Sequence, residues 1–386
     1  MKIVVDENIP LADEFFADFG ELHKVSGRLL TQAHLQDADA LLVRSVTQVN
    51  EALLKDTRVG FVGSATIGED HLDTAYLDNA GIQYSTAPGC NARAVVEYVA
   101  AALLELEVRQ GWTLADKTLG IVGLGNVGSR LQETFRAWGL QTMACDPPLA
   151  DQAQPGLVSF GDVLQADIVS LHTPLTRDGK YPTYHMMAAE QLGWLKPEAV
   201  LINASRGAVV SNEALKQVLL DRPDLSVVLD VWEGEPFIDV ELAQRVEIAT
   251  PHIAGYSYDG KVKGTEMLYQ AFCQHLGVRP DKQLEELIPG AVQHLIDLNE
   301  GAAVNNCREL VQKVYRIEED DINLRSSLQH PKDHRIAAFD QLRKHYRLRR
   351  EFSKVKLRGV DEFLKRIDRA ELKKIQALGF ELPPSA

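Results

Sequence analysis

The stretch from residue 118 to residue 146 constrains the fold of this chain more than any other part of the sequence. Residues 118–122 are a short apolar run typical of a buried parallel strand, and the sequence Gly-Leu-Gly-Asn-Val-Gly follows directly. A helical pattern then begins, with apolar residues at spacings of three or four. Residues 141–145 form a second short strand pattern, which leads into Asp146, 18 positions after Gly128.

Each glycine of this sequence has a physical role. Gly123 permits a tight turn after the strand, and Gly125 lets backbone N–H groups approach a pyrophosphate without a Cβ in the way. Gly128 allows the helix to pack closely on the strand. The N-terminus of the helix then faces the anion with its free N–H groups and the positive end of its dipole. The pattern therefore predicts a dinucleotide-binding unit.

Asp146 indicates which dinucleotide binds. A carboxylate at the end of the second strand can accept hydrogen bonds from the adenosine ribose. A 2′-phosphate at the same place would be repelled, so the sequence favours NAD over NADP as the cofactor.

Length and composition bound the class of protein. A chain of 386 residues suggests two or three domains at about 150 residues per domain. Its 45% hydrophobic and 25% charged residues are ordinary for a soluble globular protein. No apolar run approaches the roughly 20 residues of a membrane span, so we expect a cytoplasmic protein that does not enter a membrane. The four cysteines lack Cys-x-x-Cys spacing, so we expect neither a disulfide framework nor a metal site.

The charge is unevenly distributed along the chain. Residues 331–386 contain 15 lysines and arginines against eight acidic residues, whereas residues 1–330 contain 26 against 47. An acidic body does not suit nucleic acid, and we expect none to bind. The basic tail could bind a polyanion in isolation, but such a run more often forms a solvated face or docks on an acidic partner. We favour docking, between subunits.

Short apolar runs alternate with helical or loop segments on both sides of the glycine motif, which predicts two parallel βα sheets. The predicted strands are residues 2–6, 40–44, 60–63, 81–84, 118–122, 141–145, 166–171, 199–203, 226–230 and 246–249. Helices are predicted at residues 8–20, 95–108 and 260–276, and charged helical patterns at residues 341–350 and 360–378.

Three loops after predicted strands carry the groups that hydride transfer from a hydroxy acid needs. Arg206 offers a planar fork that can hold a carboxylate bidentately. His252 can accept the hydroxyl proton, because an imidazole ordinarily titrates near neutral pH. Glu235 can accept the other imidazole N–H and stabilise the imidazolium, although Glu233 competes for this role. Each residue alone could be structural, but ligands of open α/β sheets bind outside the carboxyl ends of the strands, where all three lie.

At these residues the chain resembles the D-isomer-specific 2-hydroxy-acid dehydrogenases. The resemblance runs through residues 120–130, 172–175, 203–210, 229–236 and 250–255. It implies that Arg206, Glu235 and His252 are the catalytic set. It also implies a substrate domain of two chain segments that flanks a Rossmann-like cofactor domain.

A closer resemblance, to family members that act on a small phosphorylated hydroxy acid, covers nearly the whole chain. It is carried by residues 5–10, 44–47, 87–91, 145–148 and 250–256. The resemblance implies substrate contacts at Ser45, Thr66 and Tyr256. It implies cofactor contacts at Asn126, Val127, Asp146, Asp230 and Gly255, in addition to the motif glycines Gly123, Gly125 and Gly128.

The resemblance also sets the expected architecture. We expect two Rossmann-like or flavodoxin-like parallel-sheet domains and a C-terminal α+β dimerisation domain, so the fold class is α/β and the protein a homodimer. The expected boundaries are residues 1–92 with 256–284 for the substrate-binding domain, 93–255 for the NAD-binding domain and 285–386 for the dimerisation domain.

The phosphate of such a substrate needs a positive charge or N–H donors, which Ser45 and Thr66 alone do not supply. Arg44 is one candidate, although neighbours along a strand point to opposite faces. The second candidate is the basic run from Arg343 to Arg350, reaching over from a partner subunit.

Two alternatives stay open at this point. The same residues could oxidise another acid, such as 3-phosphoglycerate, because the carboxylate and hydroxyl being handled are identical. A protein of a different class, which senses NADH to control assembly, would be indicated by a broken catalytic set, whereas here the set is intact.

Overall fold

The structure is a computed structural model that describes residues 1–288, 294–299 and 304–382. It divides into two compact units, Met1–Asn91 with Ser257–Gln293 (unit 1) and Ala92–Tyr256 with His294–Ala386 (unit 2). The domain boundaries expected from the sequence stay a prediction. No helix within the described ranges is long and apolar enough to cross a membrane.

The described strands pair in parallel throughout. They are β1 (Lys2–Asp6), β2 (Glu21–Val25), β3 (Ala40–Val43), β4 (Phe61–Ser64), β5 (Gln83–Ser85), β6 (Thr118–Val122), β7 (Gln141–Cys145), β8 (Ile168–Leu171), β9 (Val200–Asn203), β10 (Ser226–Leu229), β11 (Ile248–Ala249), β12 (His294–Asp297) and β13 (Val355–Arg358).

The helices connect these strands and cover the sheets. They are α1 (Ala12–Phe16), α2 (Glu51–Leu54), α3 (Thr74–Ala80), α4 (Ala92–Gln110), α5 (Asn126–Ala137), α6 (Pro147–Asp151), α7 (Phe160–Val163), α8 (Ala189–Gly193), α9 (Asn212–Asp221), α10 (Val240–Arg245), α11 (Tyr258–Leu276), α12 (Leu284–Leu287), α13 (Cys307–Val314), α14 (Ile317–Ser327), α15 (Lys332–Lys344), α16 (Val360–Arg366) and α17 (Arg369–Ala377). Short 3-10 turns lie at Ala17–Phe19, Gly27–Leu29, Gln32–Leu35, Leu114–Asp116, Gly207–Val209 and Phe352–Lys354.

Unit 1 is built on a five-stranded sheet in the order β2-β1-β3-β4-β5. Successive residues of a strand face opposite sides, so each face of the sheet receives its own apolar cover. On one face, aromatic residues of α1 and α11 form the core with the strands, including Phe16, Phe61 and Phe272. On the other face, Val4 and Leu41 pack with residues of the loops and short helices.

Two predictions for unit 1 were incomplete. Strand β2 was not predicted, because it is an edge strand with polar residues whose only regularity is its pairing with β1. The helix predicted for residues 8–20 is limited to α1 and one 3-10 turn. It begins late because Leu11 has a left-handed backbone (φ 55°) and the Asp6 carboxylate accepts a hydrogen bond from the Asn8 N–H in a preceding turn.

Unit 2 contains a six-stranded sheet in the order β11-β10-β9-β8-β6-β7. The chain leaves β6 through α5 to β7 on one side, and β8 lies on the other side of β6. The strand order therefore reverses at β6, and ligands of such sheets bind in the crevice at that point. Helix α4, which is buried over most of its length, packs against α5. The predicted parallel α/β class is confirmed for both sheets.

The C-terminal residues of unit 2 add helices α13 to α17 and a two-stranded sheet of β12 and β13. The helix predicted for residues 341–350 was wrong beyond Lys344, where α15 ends. The following segment is irregular because its arginines are buried in tertiary contacts. Arg349 donates hydrogen bonds to the carbonyl oxygens of Ala94 and Ala254, both at 2.8 Å.

Candidate active site

The three glycines of the motif occupy different environments after β6. Gly123 has φ 90°, and a Cβ there would lie 2.6 Å from the carbonyl oxygen of His172. A Cβ at Gly128 would overlap the carbonyl oxygen of Gly123. A Cβ at Gly125 would meet no atom within 4 Å. Gly123 and Gly128 are thus required by the fold, whereas Gly125 leaves open space above the start of α5.

The geometry around this open space fits a dinucleotide. Helix α5 begins at Asn126, followed by Val127, and no side chain of the described residues caps its N-terminal N–H groups. These groups can therefore bind a pyrophosphate. The Asp146 carboxylate accepts hydrogen bonds from the N–H of Leu124 at 2.8 Å and of Leu149 at 3.1 Å. It is thereby fixed at the end of β7, where a ribose would be bound.

Asp230 organises the loop that carries His252. Its buried carboxylate accepts hydrogen bonds from the Thr250 hydroxyl and from the N–H of Ile253, both at 2.7 Å. It also accepts one from the N–H of Ala254 at 2.9 Å. Asp230 thus determines the backbone path around His252. The predicted cofactor contacts at Asp230 and at Gly255, the next residue of this loop, stay predictions.

Arg206 lies in a loop after β9 that is fixed by Asn203. The Asn203 side chain accepts hydrogen bonds from the backbone N–H and the hydroxyl of Ser205, at 3.1 and 2.8 Å, and donates one to the carbonyl oxygen of Arg206 at 2.9 Å. At the next position, Gly207, a Cβ would overlap the backbone of Trp232. The arginine loop therefore packs directly against the loop that leads to Glu235.

The structure brings Glu235 and His252 together. Glu235 Oε2 lies 2.7 Å from His252 Nδ1, and Oε1 accepts a hydrogen bond from the Trp232 N–H at 2.7 Å. With Nδ1 facing the carboxylate, the Nε2 atom of His252 is available to a substrate. Burial acts to raise the pKa of Glu235, but the charge and hydrogen bond of His252, aided by the charge of Arg343, lower it overall.

The competing residue Glu233 has another partner. It lies 2.7 Å from His185 Nε2 and accepts a hydrogen bond from the Asn212 N–H at 3.2 Å. The geometry therefore favours Glu235 as the partner of His252. The sequence did not indicate the His185 pair, because His185 belongs to a loop without a recognisable motif.

Tyr256 follows the His252 loop and contacts α15 and the segment after it. Its ring centroid lies 5.8 Å from that of Tyr346 and 5.5 Å from the guanidinium carbon of Arg343. The sequence placed Arg343 only within a basic run offered by a partner subunit. The structure places its side chain beside Tyr256 of the same chain.

Ser45 and Thr66 belong to unit 1 and follow β3 and β4. Ser45 is exposed at the start of a turn. The Thr66 hydroxyl lies 2.8 Å from the Ser64 hydroxyl, which in turn lies 2.8 Å from His71 Nε2. Arg44 Nε donates a hydrogen bond to the buried carboxylate of Asp6 at 3.2 Å. The positive charge of Arg44 is thus already paired.

The comparisons with known proteins agree with this architecture. Residues 93–254 match the sequence profile of the D-isomer specific 2-hydroxyacid dehydrogenase NAD binding domain, and residues 287–379 match a domain of unknown function. The erythronate-4-phosphate dehydrogenase of Azotobacter vinelandii is 49% identical over 374 residues, which are 96% of this chain and 98% of that protein. The chain belongs to the erythronate-4-phosphate dehydrogenase family. The member from Pseudomonas entomophila is 47% identical over 99% of both chains.

Two solved structures of lower sequence identity share the fold. The NAD⁺-bound 3-phosphoglycerate dehydrogenase of Entamoeba histolytica superposes with a TM-score of 0.63 at 24% identity, covering 72% of this chain and 95% of that one. The D-lactate dehydrogenase of Aquifex aeolicus, complexed with NAD and lactic acid, superposes with a TM-score of 0.60 at 24% identity. The match covers 72% of this chain and 96% of that one.

Membership of the erythronate-4-phosphate dehydrogenase family confirms the family and the NAD-dependent oxidoreductase class predicted from the sequence. Within the described residues, no group of three or more His, Cys, Asp or Glu side chains could hold a metal ion.

Proposed function

We propose that the protein oxidises 4-phospho-D-erythronate to 3-hydroxy-2-oxo-4-phosphooxybutanoate with NAD, in pyridoxal 5′-phosphate biosynthesis. The observation that carries the proposal is the hydrogen-bonded pair of His252 and Glu235, 2.7 Å apart, in a chain of this family. The pair lies on loops at the carboxyl ends of β10 and β11, where open α/β sheets bind their ligands.

In the proposed mechanism each residue acts on one part of the substrate. Arg206 holds the C1 carboxylate with its planar fork. His252 Nε2 accepts the proton of the C2 hydroxyl, and Glu235 stabilises the resulting imidazolium through Nδ1. Bound NAD supplies the acceptor for the hydride that leaves C2. His252 then releases its proton to solvent before the next turnover.

The cofactor would be held at the start of α5 and at the end of β7. The N–H groups at Asn126 and Val127 would bind the pyrophosphate, and Asp146 would accept hydrogen bonds from the ribose. Ser45, Thr66 and Tyr256 would contact the substrate, as the family resemblance implies.

The remaining parts of the proposal concern the protein as a whole. We propose a cytoplasmic homodimer that assembles through its C-terminal region and binds neither nucleic acid nor membrane. The family resemblance and the acidic body of the chain support this proposal.

The test is NADH absorbance on one purified preparation supplied with NAD and either 4-phospho-D-erythronate or 3-phospho-D-glycerate. We expect the four-carbon acid to give the higher kcat/KM. A higher kcat/KM with the three-carbon acid would leave the proposed mechanism unchanged but would identify 3-phospho-D-glycerate as the substrate. Silence with both acids, persisting after a 2-oxo acid acceptor is added to reoxidise retained NADH, would favour the NADH-sensing regulatory protein.

A further inference from the structure

Arg343 lies in the last turn of α15, beside the candidate active site of its own chain. Its guanidinium carbon is 5.5 Å from the ring centroid of Tyr256 and 6.0 Å from that of Phe339. Tyr256 closes the loop that begins with His252. A cation from the C-terminal region is therefore held against a residue that we propose as a substrate contact.

The hydrogen-bonding capacity of Arg343 is only partly used. Its Nε atom is buried and has no hydrogen-bond partner within the described residues. Its guanidinium also interacts with the Tyr256 side chain and with the charges of Glu235 and Asp230. The side chain is partly exposed. A guanidinium with a desolvated donor that no described group accepts from can bind an anionic ligand.

The neighbouring arginines are less suited to such a ligand. Arg347 pairs with Asp320 at 2.9 Å and with Glu319 at 3.4 Å. Arg349 also has donors without partners, but it is only 2% exposed and its guanidinium lies 4.4 Å from the ring centroid of Tyr315. Arg347 is thus neutralised and Arg349 enclosed.

We propose that Arg343 binds the phosphate group of the substrate, from the same chain that carries Arg206 and His252. This inference rests on the proposed function, because the proposed substrate carries an anionic group at each end. Arg206 takes the carboxylate, and the phosphate requires a second cation. The planar fork of a guanidinium matches the oxygens of a phosphate, and the cation–π contact with Tyr256 restricts its position.

A different role for Arg343 would act through the catalytic pair. Its charge contributes to the lowered pKa of Glu235, after the opposing effect of burial and the larger effect of His252. If this were its whole role, the pH dependence of kcat would change in a variant while KM stayed constant. Binding of the phosphate instead changes KM, and the two roles are therefore separable.

The experiment compares Arg343→Gln and Arg343→Lys with Lys344→Gln, which removes the same charge from an exposed neighbour on α15. We expect Arg343→Gln to raise KM for 4-phospho-D-erythronate by about 10- to 100-fold, the range for a lost charge-assisted hydrogen bond. Arg343→Lys should recover part of this loss, because it restores the charge without the fork. The kcat and the NADH Kd of Arg343→Gln should stay within about twofold of wild type, since neither depends on a phosphate bond to Arg343. The Lys344→Gln variant should keep all three constants within about twofold of wild type.

An unchanged KM in Arg343→Gln, or a shifted pH profile of kcat at constant KM, would overturn the inference. A second readout does not need turnover: calorimetric titration of inorganic phosphate into the NADH complex should show weaker binding to Arg343→Gln than to wild type. If wild type does not oxidise the acid, the proposed function fails, and this titration still decides the role of Arg343. Equal phosphate affinity in wild type and Arg343→Gln would show that Arg343 does not bind the phosphate.

Discussion

His252 is held in place by contacts outside its ring. Its backbone is left-handed (φ 57°), and its N–H donates to the carbonyl oxygen of Asp230 at 2.7 Å. A non-glycine residue in this conformation costs free energy and persists only where its surroundings enforce it. The Asp230 carboxylate does so by binding the next two N–H groups of the loop. The orientation of the imidazole is thus determined at residues that need not touch the substrate.

We expect His252→Ala to lower kcat by about 100- to 10,000-fold, the usual contribution of a general base. The NADH Kd should change by less than about twofold, because the dinucleotide would be bound at α5 and β7. Stopped-flow turnover and fluorescence titration measure the two quantities. His185→Ala, which removes a histidine paired with Glu233, is the matched control and should retain near-wild-type kcat. Equal losses of turnover and NADH binding in His252→Ala would point to a damaged site.

At the scale of single elements, much of the fold follows from local pattern. Strands β1, β6 and β7 have the bounds that their apolar runs predicted. Strand β2 and the segment after Lys344 could not be predicted in the same way. Each depends on partners that are distant in the sequence, and neither the pairing of β2 with β1 nor the burial of Arg349 leaves a periodic signal.

The glycine motif provides a prediction at this scale. Gly128→Ala should destabilise the protein by about 1 to 3 kcal/mol, because the added methyl group overlaps the turn after β6. Gly125→Ala should leave the unfolding midpoint nearly unchanged but raise the NADH Kd by about tenfold, because its methyl group enters the space expected for the pyrophosphate. Chemical unfolding and NADH titration of both variants distinguish the two effects. The reverse assignment would contradict the proposed cofactor position.

Asp167 joins the starts of β6 and β8, at the N-terminal ends of the strands. The catalytic loops lie at the opposite, carboxyl ends. Its Oδ2 accepts hydrogen bonds from the N–H and hydroxyl of Thr118 at 2.8 and 2.7 Å, and Oδ1 pairs with Lys196 at 2.6 Å. Burial acts to raise its pKa, but these partners lower it to about 2. The ionised form is therefore favoured in the folded state.

A carboxylate whose pKa is lowered in the folded state stabilises the fold at pH values above its unfolded-state pKa, near 3.9. This contribution is lost as the pH falls through the folded-state pKa of about 2. We expect Asp167→Asn to cost about 2 kcal/mol at pH 7 and about half as much at pH 3, with kcat unchanged. Urea unfolding of both proteins at the two pH values measures the difference. If the loss of unfolding free energy in Asp167→Asn did not change with pH, the hydrogen bonds of Asp167, and not its charge, would stabilise the starts of β6 and β8.

At the scale of the whole molecule, the C-terminal region is part of unit 2. The Asp321 carboxylate accepts a hydrogen bond from the Ala249 N–H of β11 at 2.7 Å, and the Trp138 side chain donates one to the carbonyl oxygen of Lys374 at 2.9 Å. The sequence indicated Arg206, Glu235 and His252 because they lie in short motifs. It could not place Arg343 beside Tyr256, because that contact depends on how the last helices pack.

Arg349→Met tests this integration. The variant leaves the carbonyl oxygens of Ala94 and Ala254 without their buried donor, and we expect a loss of about 3 to 5 kcal/mol. The kcat should also fall, because Ala254 belongs to the loop of His252. Thermal unfolding and turnover are compared with Lys354→Met, an exposed substitution nearby. If Arg349→Met were as stable and active as this control, the contacts of Arg349 would contribute neither to the stability of unit 2 nor to the geometry of the His252 loop.

The split course of unit 1 has a consequence for synthesis on the ribosome. Its sheet is complete after Ser85, but α11, which brings Phe272 into the core, is translated only after residue 257. At roughly 5 to 20 residues per second, the sheet waits roughly 10 to 40 s for this helix. During that interval Phe16 and Phe61 lack Phe272, the ring of α11 that each of them contacts in the complete unit. A nascent chain paused between residues 92 and 257 would therefore present the kind of surface to which chaperones bind.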